Sequence, residues 1–372
     1  MMHHLPMGVF FVAGVVAAAL ASMETRPIDT AVQATQQSVE TPQVHVQSLT
    51  TDLSKLTATP TTSTSPSSPQ GTPANASLTA WEKAMVERGR AVCTGSQADT
   101  YYDSARVYYQ IADYTKDTSW NACAKNGVTT YRDGYLVPNK FGAAGWAIFP
   151  HGLWLDWQRT QDSASKDAIV QLSQHASFAD APLEWTASAD VSREVAYNVM
   201  TKLIAVSLGA TVVHLNEQVA QAFDHVKQWT NILKNQPSGT KATYVRPFMA
   251  ALTTEALIQW AGDDAGKQRQ VLTAIQPLWD AIWTVCWLTD PQTLAYTDKV
   301  ASDGSGGRDP APDLNLLIAP AYAWLFKQTG TVAYRDKADA LFAGGTKAYL
   351  GDGKHFNQNY RWSFKYIEWR KG

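Results

Sequence analysis

Residues 244–284 read YVRPFMAALTTEALIQWAGDDAGKQRQVLTAIQPLWDAIWT and contain two helical patterns separated by one short turn. Apolar residues recur at helical spacing over 244–261 and again over 267–284. Between them stand Gly262-Asp263-Asp264, small and polar residues of the kind that joins antiparallel helices. This stretch therefore predicts a helical hairpin.

The same arrangement recurs along the chain. Thr160-Gln161-Asp162 and Thr329-Gly330-Thr331 are two further short joints between helical patterns. The remaining helices are predicted at 79–93, 101–114, 150–160, 164–177, 191–208, 215–234, 314–328 and 332–347, with a short one after Asn359. Strand signals are few and fall on 128–131 and 293–297. The pattern predicts an all-α domain of five or six successive hairpins over residues 79–372.

The segment before residue 79 has a different composition. Residues 7–21, MGVFFVAGVVAAALA, form an uncharged apolar run that matches the core of a secretory signal, with an uncleaved N-terminal anchor as the alternative. Residues 22–78 are rich in Ser, Thr, Pro and Gln and contain no aromatic ring, so we expect a disordered linker. Thr79 and Glu82 then predict a capping box at the first helix. We expect export to the cell surface, the periplasm or the medium, with membrane contact only through an uncleaved anchor.

Charge and cysteine content exclude some classes of function. The net charge is −2 and no Lys/Arg-rich run occurs, which argues against a nucleic-acid partner. Cys93 and Cys123 could form a disulfide in an oxidising compartment; the alternative is that both, like Cys286, are reduced thiols. No CxxC pair and no helical His pair is present, so we predict no metal or cofactor.

Dense clusters of polar and aromatic residues lie at or just before the start of every second predicted helix. They are Tyr131–Tyr135 with Phe149–Trp154, Ser192–Glu194 with Tyr197 and Asn198, Tyr244–Phe248, Arg308–Asn315, and Asn357–Trp362. If the hairpins stack around a ring, these clusters share one rim, where the free N–H groups of the helix starts point toward a ligand. Flat rings such as Tyr131, Tyr135 and Trp146 could then stack on sugars.

This arrangement resembles the (α/α) toroid of the six-hairpin glycosidases and of the alginate-lyase-like polysaccharide lyases. The resemblance covers the whole domain and depends on architecture, turn chemistry and rim placement, without a family-specific motif. It implies an (α/α)5–6 toroid that cleaves a polysaccharide or oligosaccharide. The structural alternative is an α-solenoid or bundle without a catalytic centre.

Hydrolysis of a glycosidic bond needs an acid and a base or nucleophile. Glu194 and Asp313 are the preferred pair, because each stands at a predicted helix start on the shared rim. The alternative is that Glu194 only interacts with the helix dipole and that Asp313 is an N-cap.

Elimination by a lyase needs a base, a proton donor and a group that neutralises a uronate carboxylate. His151 and Tyr197 could be base and acid, and Asn198 or Asn359 could bind the carboxylate. The arginines available as clamps, which suggest an acidic substrate, are Arg132, Arg193, Arg246, Arg308 and Arg361. Further predicted substrate contacts are Asp133, Trp154, Tyr244, Asn315 and Tyr360. A non-catalytic module that binds a glycan or a protein is the third possibility.

Overall fold

A computed structural model describes residues 72–93, 95–236, 240–299, 307–348 and 350–372. The predicted signal or anchor segment and the linker up to Gly71 lie outside the described residues. Within the described ranges, no helix combines the length and the apolar character needed to span a membrane.

The described chain is predominantly helical, which confirms the predicted all-α class. The helices are α1 (Thr72–Ala91), α2 (Ser104–Thr115), α3 (Trp120–Tyr131), α4 (Pro150–Thr160), α5 (Ser163–His175), α6 (Ser192–Ser207), α7 (Leu215–Leu233), α8 (Pro247–Ala261), α9 (Ala265–Cys286), α10 (Asn315–Thr329), α11 (Val332–Gly345), α12 (Gly353–Tyr360) and α13 (Ser363–Trp369). Short 3₁₀ turns cover Gln97–Thr100, Leu183–Thr186, Ala189–Val191 and Pro312–Leu314, and a π-helical turn covers Arg132–Leu136. The two-residue strands β1 (Trp287–Leu288) and β2 (Thr293–Leu294) pair antiparallel.

The predicted hairpin joints are turns in the structure. Gln161 ends α4 with a φ of 58°, and Gly330 ends α10 with a φ of 67°. Asp264 caps α9, because its carboxylate accepts hydrogen bonds from the backbone N–H groups of Gly266 and Lys267. Local turn chemistry therefore fixes where these helices stop and restart.

Two local predictions were wrong. Residues 128–131, predicted as a strand, form the last turn of α3, where Val128 and Tyr131 are buried three residues apart on one helix face. The predicted capping box does not form, because α1 already begins at Thr72, within the predicted linker. Glu82 instead accepts a hydrogen bond of 2.6 Å from the hydroxyl of Tyr114.

Alternate helices pack against one another. α2, α4, α6, α8 and α10 contact each other in chain order, and α12 contacts both α10 and α2. The intervening helices α3, α5, α7, α9 and α11 each pack against the helix before them, and α1 packs against α11 and α12. In α8 and α10 the buried residues run consecutively over Pro247–Leu257 and Asn315–Leu325, as expected for helices enclosed on all sides.

Long-range contacts tie α1 to the rest of the domain. Cys93, just after α1, forms a disulfide with Cys123 of α3, so the first of the two cysteine alternatives is the one observed. The buried indole of Trp81 donates a hydrogen bond to Ser363 and packs against the ring of Tyr360. These contacts join the first helix to the last two helices.

Candidate functional site

A cavity of about 720 Å³ opens at the amino ends of α2, α4 and α12, and we call it the aromatic groove. Its lining comes from the turn before α2, the end of α3, the loop before α4 and the start of α12. The lining residues are Gln97, Ala98, Asp99, Thr100, Tyr101, Tyr131, Tyr135, Trp146, Ala147, Phe149, Asp352 and Lys354. Two carboxylates and one ammonium group therefore stand among aromatic rings.

Two tyrosine hydroxyls hold the loop before α4 in place. Tyr131 donates to the carbonyl of Ala147 and accepts from the N–H of Phe149, and Tyr135 accepts from the N–H of Ala144. This loop carries Trp146, whose side chain is 48% exposed. The aromatic groove thus presents a large exposed ring on a fixed backbone.

Glu194 lies directly behind this loop. It stands in the first turn of α6, where its Oε1 accepts two hydrogen bonds from Arg193, at 2.7 and 3.1 Å. A Cβ atom at Gly145 would lie 2.5 Å from Glu194 Cγ, so only glycine allows the loop to approach so closely. Arg193 also hydrogen-bonds the side chain of Tyr101, which connects Glu194 to the groove wall.

Asp313 lies on the other side of α12, in the 3₁₀ turn before α10. Its carboxylate accepts a hydrogen bond of 3.2 Å from Gln358 and stands 3.9 Å from His355 Nε2. His355 Nδ1 lies 2.8 Å from the carboxylate of Asp352, which lines the groove. The start of α12 therefore separates Asp313 from the aromatic groove and is in contact with both.

The proposed lyase pair lies in the interior. His151 is buried, and its Nε2 lies 2.9 Å from Gln259 Oε1. Burial, assisted by Arg106, lowers the pKa of His151 to about 3. Tyr197 is also buried, and its hydroxyl accepts a hydrogen bond from Arg361. Neither side chain lines the aromatic groove.

Most of the predicted arginine clamps are engaged within the protein. Arg132 pairs with Asp133 at 2.7 Å and with Asp162 at 2.8 Å, and Arg193 pairs with Glu194. Arg246 stands over the ring of Tyr244 at 4.4 Å. Arg132 and Arg193 are therefore charge-paired within the protein, whereas Arg246 contacts aromatic rings, and the acidic ligand stays a prediction.

Five predicted substrate contacts are buried and make internal contacts instead. These are Trp154, Asn198, Asn315, Asn359 and Tyr360. Tyr360 donates its hydroxyl to the carbonyl of Trp81, and Asn315 bonds to Thr293 and Gln292. The prediction of rim contacts is corrected here, since these side chains face the core and not the helix ends.

An ion network stands at the centre of the alternate helices, and the sequence did not indicate it. Glu255 accepts from Arg106 at 2.7 Å and from Arg361 at 2.9 Å, and all three side chains are buried. Burial alone would raise the pKa of Glu255, but Arg361 and Arg106 hold that pKa below its usual value. The only sequence signal was one carboxylate inside an otherwise uncharged helix.

The groove also contains residues outside the predicted clusters. Asp99 and Tyr101 belong to the turn before α2, and Asn357 of α12 holds this turn by donating to the backbone carbonyls of both. Asp352 and Lys354 precede the last predicted cluster. Among the groove residues outside the predicted clusters, only Trp146 was indicated by the sequence, as an aromatic residue near a predicted helix start.

Comparisons with known proteins supply no relative on which to base a function. A scan against protein-family models and searches of curated proteins and of solved structures each find no match. Among the residues that the structure describes, no group of three or more His, Cys, Asp or Glu side chains could hold a metal ion. A functional assignment must therefore be argued from the groove and its surroundings.

Proposed function

We propose that residues 72–372 form an (α/α)6 toroid that belongs to an exported enzyme and hydrolyses a polysaccharide bound in the aromatic groove. Support for the ring comes from the contacts of α2, α4, α6, α8, α10 and α12 in sequence, with α12 next to α2. The intervening helices, together with α1, supply the outer layer. Such a ring places the starts of the inner helices on one side, which is where the groove opens.

One observation carries the choice of substrate: Trp146 stands exposed beside Tyr101 over a cavity large enough for several sugar units. A large apolar ring exposed to water at a cavity marks a binding surface. Asp99, Asp352 and Lys354 supply hydrogen-bonding groups at the edge of this surface. Flat rings next to carboxylates suit the apolar faces and the hydroxyl groups of a sugar.

Glu194 and Asp313 are proposed as the acid and the base. Glu194 lies behind Trp146 and is connected to Tyr101 through Arg193. Asp313 keeps 35% of its side chain exposed and is linked to the groove through His355 and Asp352. Neither carboxylate lines the groove, but each is linked to groove-lining residues from a different helix start, and we assign the two as acid and base on that basis.

Elimination and an acidic substrate receive less support. His151 is buried against Gln259, and the Tyr197 hydroxyl is occupied by Arg361, so neither group is available as a base or an acid for a uronate in the groove. Arg132, Arg193 and Arg361 are each paired with carboxylates of the protein. A neutral polysaccharide therefore fits the groove better than a uronate polymer.

The test is incubation of the purified protein with neutral and acidic polysaccharides, while reducing ends and near-ultraviolet absorbance are followed together. We expect new reducing ends on a neutral polymer without absorbance, since hydrolysis leaves no C=C bond. Glu194→Gln and Asp313→Asn should each lower the rate by at least a factor of 100. Glu184→Gln, at an exposed carboxylate outside the groove, is the matched control.

Other results of this test would indicate a different function. Reducing ends that appear together with absorbance would identify a lyase. Polymer binding without cleavage by the folded protein would identify a binding module. A rate that survives both carboxylate substitutions would remove Glu194 and Asp313 from the reaction.

A further inference from the structure

A second cavity of about 140 Å³ lies at the carboxyl ends of α8 and α10, whereas the aromatic groove opens at helix starts. We call it the basal pocket. Its walls include the amides of Gln259, Gln268 and Gln328 and the indoles of Trp324, Trp362 and Trp369. It extends inward to His151 and to the Arg106–Glu255 pair. Its volume is close to the ~150 Å³ of a cavity that holds a benzene ring, so one sugar ring would enter it with part of its edge left in solvent.

The pocket contains a buried donor that the protein leaves without a partner. Gln259 Nε2 is inaccessible to solvent and has no hydrogen-bond acceptor within the described residues. The other end of the same amide is occupied, because Gln259 Oε1 stands 2.9 Å from His151 Nε2. An unpaired buried donor costs about 1–3 kcal/mol, so an acceptor from a bound molecule would recover stability.

The charges around the basal pocket balance. Arg106 pairs with Glu255 at 2.7 Å, and Lys365 pairs with Glu368 at 2.8 Å. Lys327 and Asp263 add one charge of each sign. His151 is neutral near pH 7, because burial lowers its pKa to about 3. The pocket therefore offers amides and indoles without a surplus charge, which favours a neutral hydroxylated ligand over an ion.

We infer that the basal pocket binds one neutral sugar unit, at a site separate from the aromatic groove. The choice of a sugar rests on the proposed function, while the pocket and its unpaired amide do not. The amides of Gln268 and Gln328 would bond to ligand hydroxyls, and Gln259 Nε2, which has no accessible surface, would reach one by rotation of its side chain. The indoles supply the flat apolar wall against which a sugar ring packs.

The test is titration calorimetry of the purified protein with glucose, mannose and galactose in turn. Gln259→Leu keeps the side-chain size and removes the amide, so we expect binding of the preferred sugar to weaken at least tenfold. Gln328→Ala should weaken it as well without disturbing His151, in case Gln259→Leu affects folding. Gln270→Leu, an exposed glutamine on α9 outside the pocket, should leave this binding unchanged, and Trp146→Ala reports any monosaccharide that binds in the aromatic groove instead.

Several outcomes would overturn the inference. The inference would be wrong if none of the three sugars bound to the folded protein. It would also be wrong if glucuronate bound more tightly than glucose. Binding that is lost in Trp146→Ala but kept in Gln259→Leu and Gln328→Ala would belong to the groove. Failure of the proposed function has a different signature: polysaccharide is not cleaved, while monosaccharide binding still depends on Gln259.

Discussion

The ring centroids of Trp146 and Tyr101 stand 5.3 Å apart with their planes inclined by 59°, although the two residues belong to different loops. Tyr101 is also hydrogen-bonded to Arg193, the partner of Glu194. The most exposed ring of the groove is thus three contacts away from the proposed acid. Binding and chemistry in this region should therefore be separable by substitution.

Trp146→Ala should weaken polysaccharide binding about tenfold, or ~1.4 kcal/mol, with little change in the melting temperature. Stability is spared because the indole is half exposed and is not part of the core. Affinity electrophoresis in polysaccharide gels measures the effect. Trp185→Ala is the matched control, since Trp185 is 64% exposed and does not line the groove. Equal losses in both variants would argue against the groove.

Glu255→Gln should lower the free energy of unfolding by about 3–5 kcal/mol, because it leaves two buried arginines without a counter-charge. Urea titration of both proteins measures the difference. Glu87→Gln removes an exposed ion pair with Lys83 and should change stability by less than about 0.5 kcal/mol. A loss below about 1 kcal/mol for Glu255→Gln would mean that water reaches the network of Arg106, Glu255 and Arg361.

The stability of the protein should fall as the pH drops from about 6.5 toward 3. His151 has a folded-state pKa of about 3, because burial and Arg106 oppose its protonation, whereas its ordinary value is 6.5. Between these values the unfolded chain binds the extra proton, so acid favours unfolding. His151→Gln should make the dependence shallower by up to about 1.4 kcal/mol per pH unit. Denaturant titrations from pH 4 to 7 test this, with exposed His175→Gln as the control.

Replacing both Cys93 and Cys123 by serine should lower the free energy of unfolding by about 3.6 kcal/mol in the chain-entropy model, since the bridge closes a loop with a sequence separation of 30. Thermal unfolding with and without a reductant measures the loss. The double variant should be insensitive to the reductant.

Cys286, a free and buried thiol, should stay unreactive toward thiol reagents until the protein unfolds. Labelling of Cys286 in the folded protein would contradict its burial.

The sequence by itself determined most of the helices and the positions of the hairpin turns, although α3 and α12 were not predicted from it. Helical periodicity over 265–286 and a turn such as Gly262-Asp263-Asp264 act over a few residues, so they can be read without knowledge of the fold. The predicted strand at 128–131, Val-Thr-Thr-Tyr, failed because a short run of β-branched and aromatic residues fits either structure, and packing of α3 against α2 decided between them.

Only the tertiary structure decided which residues of each polar cluster face a ligand. Trp146 and Trp154 are the same residue type near the same helix start, yet one is exposed and the other is buried. Trp146 lies in the loop before α4, whereas Trp154 lies inside α4, which packs against α2, α3, α5 and α6, so the packing of other elements determines which ring reaches the surface. Glu255 and Arg361 meet across 106 residues of sequence. No local pattern can indicate such a pair, because it forms only when distant helices pack together.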